Sequence, residues 1–281
     1  MQTIFDLQNV SHSYLDRFEA LNGINLKITA GEQITIIGAN GSGKSTLLLI
    51  LDALIYATSG EVYAFGNPVT EERFNALEDN EFARYFRKKV GFVFQNPDVQ
   101  LFSSTVFDEI AFGPLQLGLP PEEVIKRTEE VIAMLALSNL RDRAPHTLSG
   151  GERKKVCIAS ILSINPDVLL LDEPTGGLDP RTQLWLTELL QDLAEAGKTI
   201  ITATHDLNIV EQISTRSIVF GEDHTIKADS GSAAVMNDQE LLLSTNLIHE
   251  HMHSHGQLLH KHPHPREEGH HHEQQIAHRI R

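Results

Sequence analysis

The chain reads as an α/β protein built around a mostly parallel sheet. Two observations predict this. Short β-branched runs alternate with longer segments of helical apolar spacing, the pattern of strands joined by crossover helices. Apolar residues make up 41% and charged residues 22% of 281 residues, a balance that allows a buried core. At about 150 residues per domain the length suggests roughly two domains.

The elements follow in order. Gln33–Ile37 is a short apolar run that stops at Gly38, so it reads as a strand entering a glycine-rich loop, and Lys44–Leu54 reads as the apolar helix after it. Val90–Phe94 is the next strand. Pro121–Leu137 has amphipathic spacing, with a proline and two glutamates at its start. Ser149 suits a helix cap, and the helix it opens should reach about Ile164. Val168–Leu171 reads as a buried strand, Arg181–Ala196 as a helix stopped by Gly197, and Thr199–Thr202 and Ser217–Phe220 as further strands. Residues 96–165 are mostly helical and read as an inserted subdomain. Residues 227–248 read as a helical extension, with a short helix over Asp238–Leu247. From residue 249 to 281 the composition changes. Eleven of the 15 histidines lie between His249 and His278, core-forming residues are few, and Pro263 and Pro265 intervene, so a flexible low-complexity tail is expected.

Charge and cysteine content narrow the function. A net charge of −15 opposes binding to nucleic acid or directly to anionic lipid. No apolar run approaches the ~18 residues of a membrane span, and no secretory leader is expected, since Asp6 and Gln8 interrupt the first residues. One cysteine, Cys157, cannot pair internally, which fits a reducing cytoplasm.

The chemistry begins at Gly38-Ala39-Asn40-Gly41-Ser42-Gly43-Lys44-Ser45, which fits G-x-x-x-x-G-K-[ST] between a strand and a helix. Glycines let backbone N–H groups turn around phosphate oxygens, and the helix directs its positive end at the same anion. Lys44 is expected at the β- and γ-phosphates and Ser45 at Mg²⁺, with Thr46 continuing the nucleotide-binding run. Val168–Leu171 then delivers two adjacent carboxylates: Asp172, suited to the Mg²⁺ shell, and Glu173, suited to activating a water. Leu148-Ser149-Gly150-Gly151-Glu152 bares backbone N–H groups at a second helix start.

This set resembles the nucleotide-binding subunit of an ABC transporter over about residues 1–225. The resemblance implies a P-loop NTPase domain over 1–226, with an N-terminal antiparallel β part, and a head-to-tail dimer, preferably of identical chains. In that dimer ATP lies between one chain's phosphate loop and the other's signature segment, Leu148 to Glu152, through Ser149, Gly150 and Gly151 at the start of the signature helix. It further implies that Tyr14 stacks on adenine, Gln95 sits near Mg²⁺ and the attacking water, His205 contacts the γ-phosphate, and Asp179 lies in a loop crossing the interface. Gly176 and Glu152 depart from the family pattern, where serine or alanine and glutamine are frequent; neither removes a group needed for chemistry.

The segment from Val93 to Phe102, with Thr105-Val106 and Ala111-Phe112-Gly113-Pro114, is similar to the ATPases of energy-coupling factor importers, which include cobalt and nickel systems. That implies integral membrane partners docked on the helical subdomain near Leu101, Phe102 and Phe107, and a peripheral place on the cytoplasmic face of the membrane. The tail bears on the substrate, because imidazole binds Ni²⁺ and Co²⁺. His249, His251, His253 and His255 alternate and would share one side if extended; if helical, they would pair at i, i+4. His270, His271 and His272 form another cluster. Metal capture and a merely solvated polar tail are both compatible with this composition. Three alternatives stand beside metal import: the same role in a vitamin importer, a nickel-handling P-loop GTPase, and a metal-storage protein. The guanine-reading Asn-Lys-x-Asp segment of the GTPase is missing, and every catalytic group that storage would not need is present.

Overall fold

A computed structural model describes residues 2–75, 80–255 and 258–265. In chain order the strands are β1 (Thr3–Tyr14), β2 (Phe18–Thr29), β3 (Gln33–Gly38), β4 (Ser59–Ala64), β5 (Asn67–Pro68), β6 (Val90–Val93), β7 (Val168–Asp172), β8 (Thr199–Thr204), β9 (Arg216–Phe220), β10 (Ile226–Gly231), β11 (Ile248–His255) and β12 (Leu258–Pro265). The helices are α1 (Lys44–Leu51), α2 (Glu71–Phe74), α3 (Glu81–Lys89), α4 (Val106–Gln116), α5 (Pro121–Met134), α6 (Gly150–Leu162), α7 (Pro180–Glu195), α8 (Val210–Ile213), α9 (Ser232–Asn237) and α10 (Gln239–Ser244).

One sheet is antiparallel, in the order β2-β1-β4-β5. The second has the order β10-β9-β3-β8-β7-β6; β9, β3, β8, β7 and β6 run parallel, and β10 pairs antiparallel at the edge. Parallel strands share one carboxyl edge, and ligands of such sheets bind there. β3, β8, β7 and β6 therefore deliver the phosphate loop, His205, Asp172–Glu173 and Gln95 to the same edge.

Strand β7 shows why the sheet is buried on both faces. Val168 and Leu170 enter the core that contains α1 and the antiparallel sheet, while Leu169 and Leu171 enter the core beneath α4, α6 and α7. The period of two splits a continuous apolar run between two layers. Helix α1 lies inside the first core, which explains its lack of a polar face.

Several boundaries differ from expectation for local reasons. Helix α1 ends at Leu51 rather than Leu54, because Ala53 adopts a left-handed φ of 54°. The C-terminal extension begins with strand β10, then short helices α9 and α10. It is tied to the sheet by buried hydroxyls: Thr35 bonds Ser214 and Ser217 at 3.0 and 2.8 Å, and both serines bond Ser232 at 2.8 Å. Val235, Leu242, Leu247 and Ile248 pack against Ile37 and Val219 of β3 and β9. The stretch expected to be a structureless tail instead begins as a two-stranded antiparallel ribbon, β11–β12. Composition hid it because its polar, histidine-rich sequence has no apolar period to mark a strand. His270, His271 and His272 lie outside the described residues. Among the described residues no helix is long and apolar enough to cross a membrane.

Candidate functional site

The phosphate loop is shaped by backbone constraints. Gly41 and Gly43 have φ of 81° and 108°, and a Cβ on Gly43 would come within 2.2 Å of the Ala20 carbonyl, so the loop requires glycine there. Lys44 is buried, and its Nζ donates to the carbonyls of Gly38 and Ala39 at 2.8 and 3.1 Å. Burial lowers its pKa, while the carboxylates of Glu173 and Asp172 raise it. Ser42 Oγ is buried with no hydrogen-bond partner. An orphaned donor, a lysine satisfied by its own loop, and bare N–H groups at a helix start fit a polyphosphate.

Ser45 Oγ donates to Asp172 Oδ1 at 2.9 Å, bringing two oxygen ligands together at the end of β7. Hard oxygen donors of this kind suit Mg²⁺. Asp172 has a raised pKa, chiefly from burial; the Ser45 hydrogen bond opposes that and the neighbouring Glu173 charge adds to it. Glu173 is buried and takes φ 42°, uncommon for so large a side chain. Its N–H donates to the Ala203 carbonyl at 2.9 Å. Its carboxylate meets His205 Nδ1 at 2.8 Å through Oε1, and accepts from Thr204 Oγ1 and the His205 N–H at 3.3 and 3.4 Å through Oε2. A strained backbone held by two contacts from β8 and two from His205 just beyond it is a fixed acceptor, not a loose surface acid.

These groups line a cavity of about 540 Å³, within the range of small-molecule sites. Tyr14, Asn40, Gly41, Gly43, Lys44, Ser45, Thr46, Gln95, Glu173 and His205 are on its wall. Tyr14 shares a hydrogen bond with Thr46 Oγ1 at 3.2 Å and meets His12 edge-on. Phe18 and Glu19, which the sequence reading missed, also line it. Phe18 is 58% exposed at the start of β2, and the sequence carried no signal for it, because an aromatic in a strand reads as core.

Ser149, Gly151 and Asp179 are elsewhere. They line a second cavity of about 590 Å³ with Glu152, Lys155, Arg181 and Trp185. Ser149 caps α6 in a reciprocal capping box: its Oγ accepts from the Glu152 N–H, and Glu152 Oε2 accepts from the Ser149 N–H at 2.8 Å. Glutamate at 152 therefore completes the cap, and its pKa is lowered chiefly by that backbone hydrogen bond. Asp179 caps α7, accepting from the N–H groups of Arg181 and Thr182, and the Thr182 hydroxyl lowers its pKa. Beside Gly150 the space is open: a Cβ there would meet nothing within 4 Å. The two cavities share no lining residue.

Buried Lys154 is a further residue that the sequence reading did not single out. Its Nζ donates to the carbonyls of Phe94 and Gln95, both at 3.0 Å, so helix α6 holds the backbone of the segment that carries Gln95. Lysine on an amphipathic helix reads as surface charge in sequence, which conceals this role.

Residues 21–176 match the family model described as ABC transporter. A protein of Methanosarcina acetivorans named as an ABC transporter ATP-binding protein is 66% identical, over 91% of this chain and 93% of its own. The nickel import ATP-binding protein NikO of Rhodobacter capsulatus is 44% identical over 88% of this chain and 94% of its own. Among solved structures, CbiO1 of Clostridium perfringens, part of the ABC transporter complex CbiONQ, superposes with a TM-score of 0.73 at 34% identity, covering 88% of this chain and 96% of that one. With the phosphate loop, the paired carboxylates and the signature helix in place, the chain belongs to the ABC transporter family as an ATP-hydrolysing, ATP-binding subunit.

Proposed function

We propose that this subunit hydrolyses ATP in a head-to-tail pair of identical chains to drive uptake of Ni²⁺ or Co²⁺ through energy-coupling factor-type membrane subunits. The substrate class is carried by the similarity to a nickel import ATPase across 88% of the chain, joined to a C-terminal segment rich in imidazole. The geometry of the site supports a role for each of its residues. Lys44 and the loop N–H groups bind the β- and γ-phosphates, and Tyr14, on the wall of the same cavity, stacks on adenine. Ser45, Asp172 and Gln95 would hold Mg²⁺, which neutralises phosphate charge when bound. Glu173 accepts the proton of the attacking water, and His205, bonded to it, reaches the γ-phosphate from the same edge. Ser149, Gly150, Gly151 and Asp179 of the second chain close over the nucleotide. Catalysis is then positioning plus charge stabilisation.

The membrane partner would meet the helical subdomain. Phe102 and Phe112 are 66% and 41% exposed and stack edge-to-face at 4.8 Å. Beside them a cleft of about 360 Å³ is lined by Phe107, Leu115, Val124 and Ile125. Leu101, expected at the same surface, turns inward onto the core. Such a cleft suits the apolar face of a short helix, and it would hold the subunit peripherally on the cytoplasmic side. The test is co-purification of the membrane assembly followed by uptake of radioactive nickel or cobalt into vesicles supplied with ATP. ATP-dependent metal uptake that stops with Glu173→Gln is expected. Vitamin uptake without metal uptake would overturn the substrate assignment.

A further inference from the structure

We propose that Phe18 is a second base-binding residue of the nucleotide site, forming with Tyr14 a two-walled aromatic clip on the β1–β2 hairpin. The clip rests on the assignment of the cavity around Lys44 to ATP. Tyr14 and Phe18 are the register pair nearest the turn, directly opposite in antiparallel strands. Opposite residues place their side chains on one face of the pair, with Cβ atoms about 5 Å apart. Both line the cavity that also holds Lys44 and Ser45 on its wall. The turn between them is tight: Leu15 and Asp16 take φ of 54° and 53°, and the Arg17 N–H donates to the Tyr14 carbonyl at 3.1 Å. The hairpin therefore brings both rings to the cavity together.

Each ring is braced by a residue that does not line the cavity. His12 meets Tyr14 edge-on with centroids 4.8 Å apart, and its Nδ1 bonds the Tyr56 carbonyl at 2.8 Å. The Tyr14 hydroxyl shares a hydrogen bond with Thr46 of α1. Arg17 lies over the Phe18 ring, its guanidinium carbon 5.5 Å from the centroid. A cation over one face is attracted by the ring quadrupole and leaves the opposite face to the cavity. Core packing does not account for Phe18, which stays 58% exposed. The chemistry of a nucleotide does. Its phosphates need the N–H groups and the cation of the loop, whereas its base is flat and offers a π-face. Aromatic side chains hold such a face by stacking, whichever base carries it. Leu15, at the tip of the same turn, is 87% exposed and is not on the cavity wall, so it separates hairpin stability from ligand contact.

The full chain and the variants Phe18→Ala, Phe18→Tyr, Tyr14→Ala and Leu15→Ala are titrated by calorimetry with ADP and with inorganic pyrophosphate. ADP carries the base and no γ-phosphate to hydrolyse; pyrophosphate carries phosphates alone. Phe18→Ala should weaken ADP binding at least roughly fivefold and leave pyrophosphate within about twofold of wild type. Phe18→Tyr keeps the π-face and should keep ADP affinity, and Leu15→Ala should match wild type for both ligands. Unchanged ADP affinity in Phe18→Ala, equal losses for the two ligands, no retention by Phe18→Tyr, or a comparable loss in Leu15→Ala would overturn the clip. Tyr14→Ala separates the clip from the assignment beneath it. A loss there with none in Phe18→Ala removes Phe18 alone, whereas no loss in either variant removes the base from this hairpin altogether.

Discussion

In the mechanism proposed above, turnover depends on Glu173, whose contacts fix both its place and its orientation. Glu173→Gln retains the shape and the contact with His205 but cannot take a proton. Hydrolysis should fall roughly 10²–10⁴-fold, the usual worth of a general base, while ATP affinity measured by calorimetry stays near wild type. Turnover close to wild type would remove Glu173 from that role. The phosphate-site residues were readable in the sequence because phosphate chemistry dictates their spacing: Lys44 and Ser45 follow the loop, and Asp172 and Glu173 end a strand. Phe18 and Lys154 were not readable. An aromatic in a strand reads as core, and only the fold reveals that Lys154 Nζ spans two backbone carbonyls.

At the scale of elements, α1 carries an acid where its dipole is least tolerant. Asp52 caps the helix's carboxyl end, where negative charge is unfavourable. Burial pushes its carboxyl up to about 8, with Arg87 pulling the other way. In the unfolded chain an aspartate titrates near ~3.9, so the folded state holds this proton longer. The associated stability is fully present below that lower value and is lost as pH rises through about 8. Asp52→Asn should remove the dependence. Denaturant melts should show it clearly more stable than wild type near pH 8 and level with it near pH ~4. The clamp between α6 and the Gln95 segment gives a second expectation. Lys154→Met should lower kcat by about tenfold while leaving KM for ATP within about threefold, because a shifted Gln95 costs alignment rather than ground-state binding. Equal changes in both constants would make Lys154 merely structural. Strand β7 and the helices were legible as apolar periods. The ribbon was not, because its polar, histidine-rich sequence offers no apolar period to mark its strands.

For the whole molecule, the decisive feature is the separation of the two cavities, one around Lys44 and one around Ser149 and Gly151. The two share no lining residue, and in the head-to-tail arrangement proposed above a nucleotide in the first is closed over by the second of another copy. Two defective chains should then rescue each other. Lys44→Ala removes the phosphate-loop cation and should bind ATP weakly. Gly150→Glu places a charged side chain at the start of α6, where a Cβ meets nothing within 4 Å, and should obstruct chiefly a partner's phosphates. Each variant alone should be inactive. Mixed in equal amounts, half of the dimers are hybrids, and each hybrid has one pocket with an intact loop facing an intact signature. The mixture should recover about a quarter of the wild-type rate, and the recovered activity should fall on dilution as dimers part. An ATP site completed within a single chain predicts no recovery at any mixing ratio.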